Sequence, residues 1–253
     1  MRVIITGAAG QIGSQLVEEL ATIHEICLID IHSGSGRDVV VGDLAQFQRR
    51  AGWRAWLKPK VEHWSDVFEG AQVVVHLAAS TDPGAPWEKI LPNNIVASWN
   101  VIQAAVKHDV PRVVLASSNW AVKALEQRMA PGCYQPGGTK IASDAPPLPL
   151  GAYGLSKSFG ELAGRMFVDE GKLKSFLAVR VGYYAPQPSK DEILRTRWIG
   201  TEDIRTLFRR CVEADFDGFH VVYGVSAQAT APYDLSHTRE LLAWEPRQNV
   251  TNY

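Results

Sequence analysis

The 253-residue chain has few cysteines, no surplus of either charge and no long apolar run, and each shortage closes off a class of function. Cys27, Cys133 and Cys211 form no close pair and no CxxC, which argues against a disulfide framework and makes the cytoplasm the expected setting. Lys plus Arg number 26 against 27 Asp plus Glu, so the chain lacks the field that gathers nucleic acid or an anionic membrane surface. Its longest apolar stretches, such as Val73-Val74-Val75-His76-Leu77-Ala78-Ala79, fall far short of the roughly 20 residues that cross a bilayer. The opening residues read as a strand rather than a signal segment. His76 ends a buried run with no second ligand at metal spacing, so it is expected to be a packed core histidine and no metal is expected. What remains is a partner of small-molecule size.

What is present is a regular alternation. Short β-branched runs (Val3 to Ile5, Ile26 to Ile29, Val39 to Val41, Val73 to Val75, Val113 to Leu115, Phe176 to Val179) are separated by amphipathic stretches near Ile12 to Leu20, Ile95 to His108 and Tyr153 to Phe167. Runs apolar at every position belong to strands covered on both faces, so the pattern predicts an α/β fold with a doubly wound parallel sheet, a Rossmann fold. The length fits one domain, with a cofactor-binding core over 1–181. A looser tail over 182–253, with a helix near Glu202 to Val212, a strand near His220 to Tyr223 and a short helix near Ser236 to Leu242, is expected to cap the ligand-binding edge. No internal repeat or low-complexity segment is present.

Gly7, Gly10 and Gly13 lie between the first strand and the first helix. Glycines there permit a tight turn and let a pyrophosphate approach the helix N-terminus, with Gln11 and Ile12 beside it. The next strand ends at Asp30, where a carboxylate can accept hydrogen bonds from ribose hydroxyls and would repel a 2′-phosphate, so NAD is expected. NADP is the lesser alternative, through Arg37. Asp43 follows the third strand and could accept from an adenine amino group, although a helix N-cap reading is equally open. Ile31, Leu44, Leu77, Ala78, Ala79 and Ala116, all just past or at strand ends, complete the candidate cofactor contacts.

The fifth strand delivers Ser117-Ser118-Asn119-Trp120 to its C-terminal end, where ligands bind in open α/β sheets. Tyr153 and Lys157 stand four apart on one helical face, close enough for the ammonium to favour the phenolate. Tyr153 is the candidate base for a substrate hydroxyl proton as hydride leaves the carbon, with Lys157 and Ser118 as its partners.

With these motifs the chain resembles the short-chain dehydrogenase/reductase superfamily on its extended, NAD-dependent epimerase/dehydratase side, most nearly the uronate dehydrogenases and related sugar dehydrogenases. The resemblance runs from end to end through Thr6-Gly7-Ala8-Ala9-Gly10-Gln11, His76-Leu77-Ala78-Ala79, Ala116-Ser117-Ser118-Asn119, Tyr153-Gly154-Leu155-Ser156-Lys157 with Phe159-Gly160-Glu161, and Gly224-Val225-Ser226-Ala227. It implies that Asn94 and Val181 line the cofactor and that Ser80, Thr81, Asn119 and Tyr183 line a sugar pocket, with Trp120 beside them. It also implies assembly of copies through the long helices.

The chain departs from those relatives at three places. Trp120 stands where they carry histidine. Glu192 best matches an arginine that pairs with a uronate carboxylate, and a carboxylate there would repel such a substrate unless Arg195 or Arg197 reaches in instead. A pocket walled by Trp120, Tyr183, Tyr184 and Trp198 is expected to suit a neutral sugar ring or another cyclic alcohol. The third departure is a basic, tryptophan-bearing insertion over 49–60, expected to be a surface excursion. The expected reaction is oxidation of a ring hydroxyl, such as an aldose or uronate to its lactone. A carbonyl reductase acting on a non-sugar ketone, a nucleotide-sugar epimerase or dehydratase, and a non-enzymatic NAD(H) sensor are the alternatives.

Overall fold

A computed structural model describes residues 1–33, 38–46 and 64–253. Arg37 and the 49–60 insertion lie outside the described residues. Seven strands form one parallel sheet: β1 (Arg2–Thr6), β2 (Glu25–Asp30), β3 (Val39–Val41), β4 (Val73–His76), β5 (Arg112–Ser118), β6 (Ser175–Val181) and β9 (Gly218–Gly224). Their order is β3-β2-β1-β4-β5-β6-β9, as the doubly wound expectation requires. The chain winds outward from β1 through β2 to β3, then returns to pair β4 with β1 on the other side. That reversal opens a crevice beyond the C-terminal ends of β1 and β4.

Both sheet faces are buried. Val3, Ile5, Val73, Val75, Leu177 and Val179 pack on one side against α1 (Gln11–Leu20), α7 (Thr201–Glu213) and α8 (Ser236–Leu242). Ile4, Val74, Val113, Phe176 and Ala178 pack on the other against α3 (Ala97–Lys107) and α5 (Gly151–Asp169). Neighbouring residues of one strand thus serve opposite cores, and this is why the strands read as unbroken apolar runs rather than as alternating ones. Before α3 the chain runs through α2 (Trp87–Ile90) and a π-helical stretch, Leu91–Val96, so the helical segment begins earlier than the periodicity predicts.

The tail holds elements that periodicity did not signal. A second, two-stranded parallel sheet pairs β7 (Tyr183–Tyr184) with β8 (Trp198–Ile199), with α6 (Glu192–Arg195) between them. After β5, a 3-10 turn over Asn119–Val122 leads into α4 (Lys123–Met129). Two-residue strands and seven-residue helices are too short to show a repeat. Trp198, expected as a pocket wall, is instead fully buried, with its indole N–H donated to the Ala185 carbonyl at 2.8 Å and its ring edge-on to Tyr253. It belongs to the core of the cap.

Candidate active site

A cleft of about 990 Å³ runs along the C-terminal edge of the sheet, from the glycine turn to Tyr153. Its walls bring together Gly7, Gly10, Gln11, Ile12, Gly13, Asp30, Ile31, Asp43, Leu44, Leu77, Ala78, Ala79, Ala116 and Val181, all proposed cofactor contacts. Ser80, Thr81, Ser118, Trp120, Tyr153, Lys157 and Tyr183 line it as well.

The glycine end is built from backbone. Gly7 turns at φ +70°, and a Cβ on it would stand 2.7 Å from the Ala78 amide nitrogen; a Cβ on Gly13 would stand 2.2 Å from the Gly7 carbonyl oxygen. Only bare backbone allows the first turn of α1 to close onto the β1 turn. Gly10 caps α1 without any side-chain hydrogen bond, so the N-terminal amides keep their donor capacity and their partial positive charge toward the cleft. An uncapped helix end with this cradle fits a diphosphate. Asp30, at the end of β2, is held by the Ala9 amide at 3.0 Å and the His32 amide at 3.1 Å. Asp43 accepts from the Ala45 amide at 2.9 Å and from Gln46 Nε2 at 3.0 Å, so it organises its own turn while bordering the cleft.

The opposite end is built from side chains. Tyr153 and Lys157 share the buried face of α5, with the ammonium 5.7 Å from the phenol ring centroid. Burial raises the Tyr153 hydroxyl above the usual tyrosine value, and a hydrogen bond with Ser118 acts in the opposite direction. Burial lowers Lys157 to about 8, against the pull of Glu161, and its ammonium donates to the Ala116 carbonyl at 2.8 Å. Trp120 stands edge-on to Tyr153 at 6.3 Å between centroids and closes one wall. The Ser80 hydroxyl is buried at the cleft without a partner, an acceptor-donor left over for a bound molecule.

Two expected contacts do not border the cleft. Asn94 spends its carboxamide inside the protein: Oδ1 accepts the Ser80 amide at 2.8 Å, while Nδ2 donates to the Ser80 carbonyl and to Ser156 Oγ, each at 3.0 Å. It shapes the loop that carries Ser80. Asn119 is likewise occupied at both ends, with Nδ2 donating to Tyr233 Oη at 2.9 Å and Oδ1 accepting from Ser118 Oγ at 3.2 Å. It stands behind the serine rather than in the pocket. Ser117 also borders the cleft, but its hydroxyl is spent at 2.5 Å on Glu161, which is itself paired with buried Arg180 at 2.8 Å. His76 is a core histidine, hydrogen-bonded to Thr6 at 2.7 Å and Ser98 at 3.1 Å, and burial lowers it to about 3.

The arginine question is answered by position. Glu192 is exposed on α6 and does not border the cleft, so the repulsion expected from it falls away. Arg195 turns to the Val250 carbonyl at 3.0 Å. Arg197, immediately before β8, lines the cleft, pairs through Nη2 with buried Glu126 at 2.9 Å, and leaves Nε without a partner. Glu126, Tyr134 and Tyr233, which surround it, are site neighbours that the sequence did not signal; Lys123 also pairs with Glu126, at 2.6 Å and three residues before it on α4.

Residues 3–200 match the NAD dependent epimerase/dehydratase family. The chain belongs to that family. Within it, the chain is 32% identical to a uronate dehydrogenase of Agrobacterium fabrum over 249 residues, covering 98% of this chain and 85% of that protein. It is 29% identical to an NAD-dependent glucose-6-phosphate dehydrogenase of Haloferax volcanii, covering 99% and 95%. The same organism's L-arabinose 1-dehydrogenase (NAD(P)(+)) is 29% identical, covering 98% and 97%. The crystal structure of uronate dehydrogenase from Agrobacterium tumefaciens superposes with a TM-score of 0.78 at 30% identity, covering 99% of this chain and 86% of that one. Its family places this chain with NAD as cofactor, and the glycine cradle, Asp30 and the uncapped α1 fit that dinucleotide.

Proposed function

We propose that the protein is an NAD-dependent dehydrogenase that oxidises a ring hydroxyl of a sugar. The observation that carries this reading is the continuity of one cleft from the glycine cradle to a buried Tyr153 with Ser118 and Lys157 beside it. Gly7, Gly10, Gly13 and the α1 amides would hold the diphosphate, Asp30 the adenosine ribose and Lys157 the second ribose. Bound NAD supplies the hydride acceptor. Ser118 holds the substrate oxygen, and Tyr153, as phenolate, takes the hydroxyl proton while the carbon gives up its hydride, leaving a carbonyl or lactone. Burial opposes the phenolate, so the positive charge of Lys157 and of the bound nicotinamide must supply the offset. Trp120 and Tyr183 give the pocket apolar faces that suit a sugar ring, and Ser80 offers it a free hydroxyl.

Arg197 supports a substrate that carries an anionic group as well as neutral sugars. Lys123 and Arg197 share one buried carboxylate, Glu126, which leaves an uncompensated positive charge at the cleft wall. The three cysteines are free, in keeping with a cytoplasmic enzyme. No helix among the described residues is long and apolar enough to cross a membrane. Exposed Leu155, Leu162 and Met166 on α5 support a homo-oligomer formed through that helix.

The test is NADH formation, followed by absorbance, from purified protein, NAD and a panel of neutral aldoses, uronates and sugar phosphates. Turnover of at least one sugar is expected. Silence on all of them, with NADH consumption on ketones, would replace this reading by a carbonyl reductase. Arg197→Met should raise KM for acidic sugars while sparing neutral ones.

A further inference from the structure

Behind the catalytic end lies a cluster of titratable groups centred on Glu126, of which only Arg197 reaches the cleft wall. Glu126 on α4 is fully buried. Its Oε1 receives Lys123 Nζ at 2.6 Å, Tyr134 Oη at 2.5 Å and Arg197 Nη2 at 2.9 Å; its Oε2 receives Tyr233 Oη at 2.5 Å. Burial alone would raise this carboxyl, but Arg197 and the hydrogen bonds from Lys123, Tyr134 and Tyr233 hold it below the usual glutamate value. Burial and the neighbouring carboxylate push Tyr233 far up, so its hydroxyl stays protonated.

These contacts form a directed wire. A carboxylate can only accept, so the Tyr233 hydroxyl donates to it. The Tyr233 oxygen is then left as an acceptor, and it takes Asn119 Nδ2 at 2.9 Å. The carboxamide is thereby oriented with Oδ1 toward Ser118, whose hydroxyl donates to it at 3.2 Å while its oxygen receives the Trp120 amide at 3.2 Å. Ser118 and Tyr153 line the same end of the cleft, and a proton donated by Ser118 to the phenol oxygen lowers Tyr153. We propose that Glu126 is a positioning residue that sets the polarity of this chain through Tyr233 and Asn119, giving the Ser118 proton a resting acceptor away from Tyr153. The consequence is a more basic tyrosine, since Ser118 is not committed to the phenolate before substrate arrives. The inference rests on Tyr153 being the base.

The groups facing Tyr153 are few: Ser118 from β5, Lys157 from its own helix, and the Trp120 ring after β5, with Ala85 and Ile90 packed on the other side. Around Glu126 stand Lys123, Tyr134, Arg197, Tyr233 and Cys133.

Glu126→Gln reverses the wire. The three donors at Oε1 require an oxygen there, so the new amide nitrogen must face Tyr233 and donate to it. Tyr233 then donates to Asn119 Oδ1, Nδ2 turns to Ser118, and the serine proton is freed for the Tyr153 oxygen. A hydrogen bond donated to the phenolate favours it, so Tyr153 should titrate lower by roughly half a unit or more. Carbon-13 labelling at tyrosine Cζ, with the Tyr153 resonance identified by its loss in Tyr153→Phe, reads this directly with and without NAD and needs no turnover. Tyr233→Phe keeps the ring stacked on Tyr223 at 4.6 Å and frees the carboxamide; it should shift Tyr153 the same way should Glu126→Gln not fold. Tyr134→Phe removes a donor from the other carboxylate oxygen and leaves the wire intact, so Tyr153 should titrate as in the wild type. An unmoved Tyr153 in Glu126→Gln and Tyr233→Phe, or an equal shift in Tyr134→Phe, would overturn the inference. Absence of sugar turnover in the wild type would instead overturn the assignment of the reaction, independently of this titration. Where turnover is present, the acidic limb of kcat/KM should follow the resonance.

Discussion

The two ends of the cleft are made of different materials. The glycine end is a backbone structure: a tight turn closed against Ala78, an uncapped helix and one carboxylate, all within the first thirty residues. The catalytic end is a side-chain structure, in which Ser118, Asn119, Tyr153, Arg197 and Tyr233 arrive from separate elements and are held by two buried carboxylates. Behind Ser117 stands Glu161 with Arg180, and behind Ser118, two residues removed, Glu126 with Arg197 and Lys123. Backbone can present donors without further support. Side chains that must hold a proton in one place need a second layer, and this protein supplies it with charge.

The comparison breaks first at Tyr153. Tyr153→Phe should lower kcat by about 10²- to 10⁴-fold while NAD binding, followed by fluorescence titration, stays near the wild-type value. Loss of both would mean that the two ends are not separable. The second layer is tested by Glu161→Gln, which leaves Arg180 buried beside a neutral partner and should reduce stability by about 3–5 kcal/mol in denaturant unfolding. At the backbone end, Asp30→Ala should weaken NAD by roughly ten- to a hundredfold, the size of hydrogen bonds to a charged group, and narrow the preference against NADP, with kcat at saturating NAD nearly unchanged.

The last expected effect, the smallest when read over a single pH unit, is on stability against pH. His76, lowered by burial to about 3, stays neutral in the folded chain while an unfolded histidine takes a proton near its ordinary 6.5. The unfolded state therefore binds more protons as pH falls between these values, and His76 should cost up to about 1.4 kcal/mol of stability per pH unit across that window. Urea unfolding of wild type and His76→Asn as a function of pH measures it; equal slopes would show that His76 titrates normally.

Legibility followed the same division. The parallel sheet, the cofactor loop and the Tyr153/Lys157 face of α5 could be read because each depends on residues close in sequence: unbroken apolar strands, glycines at a strand-helix turn, a four-residue helical spacing. The misreadings lie where residues distant in sequence meet. Trp198 looked like a wall and packs into the cap core; Glu192 looked like a repulsive charge and faces outward; Asn119 and Asn94 looked like ligand contacts and are consumed by Tyr233 and by Ser80 with Ser156. Glu126 gave no signal because a carboxylate three residues after a lysine has the pattern of any exposed helix face.

By itself the sequence determined the topology, the cofactor and the shared helical face of Tyr153 and Lys157, because local backbone geometry and short-range periodicity dictate them. The tertiary structure alone decided which charges border the cleft and which stand behind the serines. Burial turns Glu126, Glu161, Arg180 and Arg197 from ordinary surface residue types into fixed partners, and burial is a property of the fold rather than of any one stretch of chain.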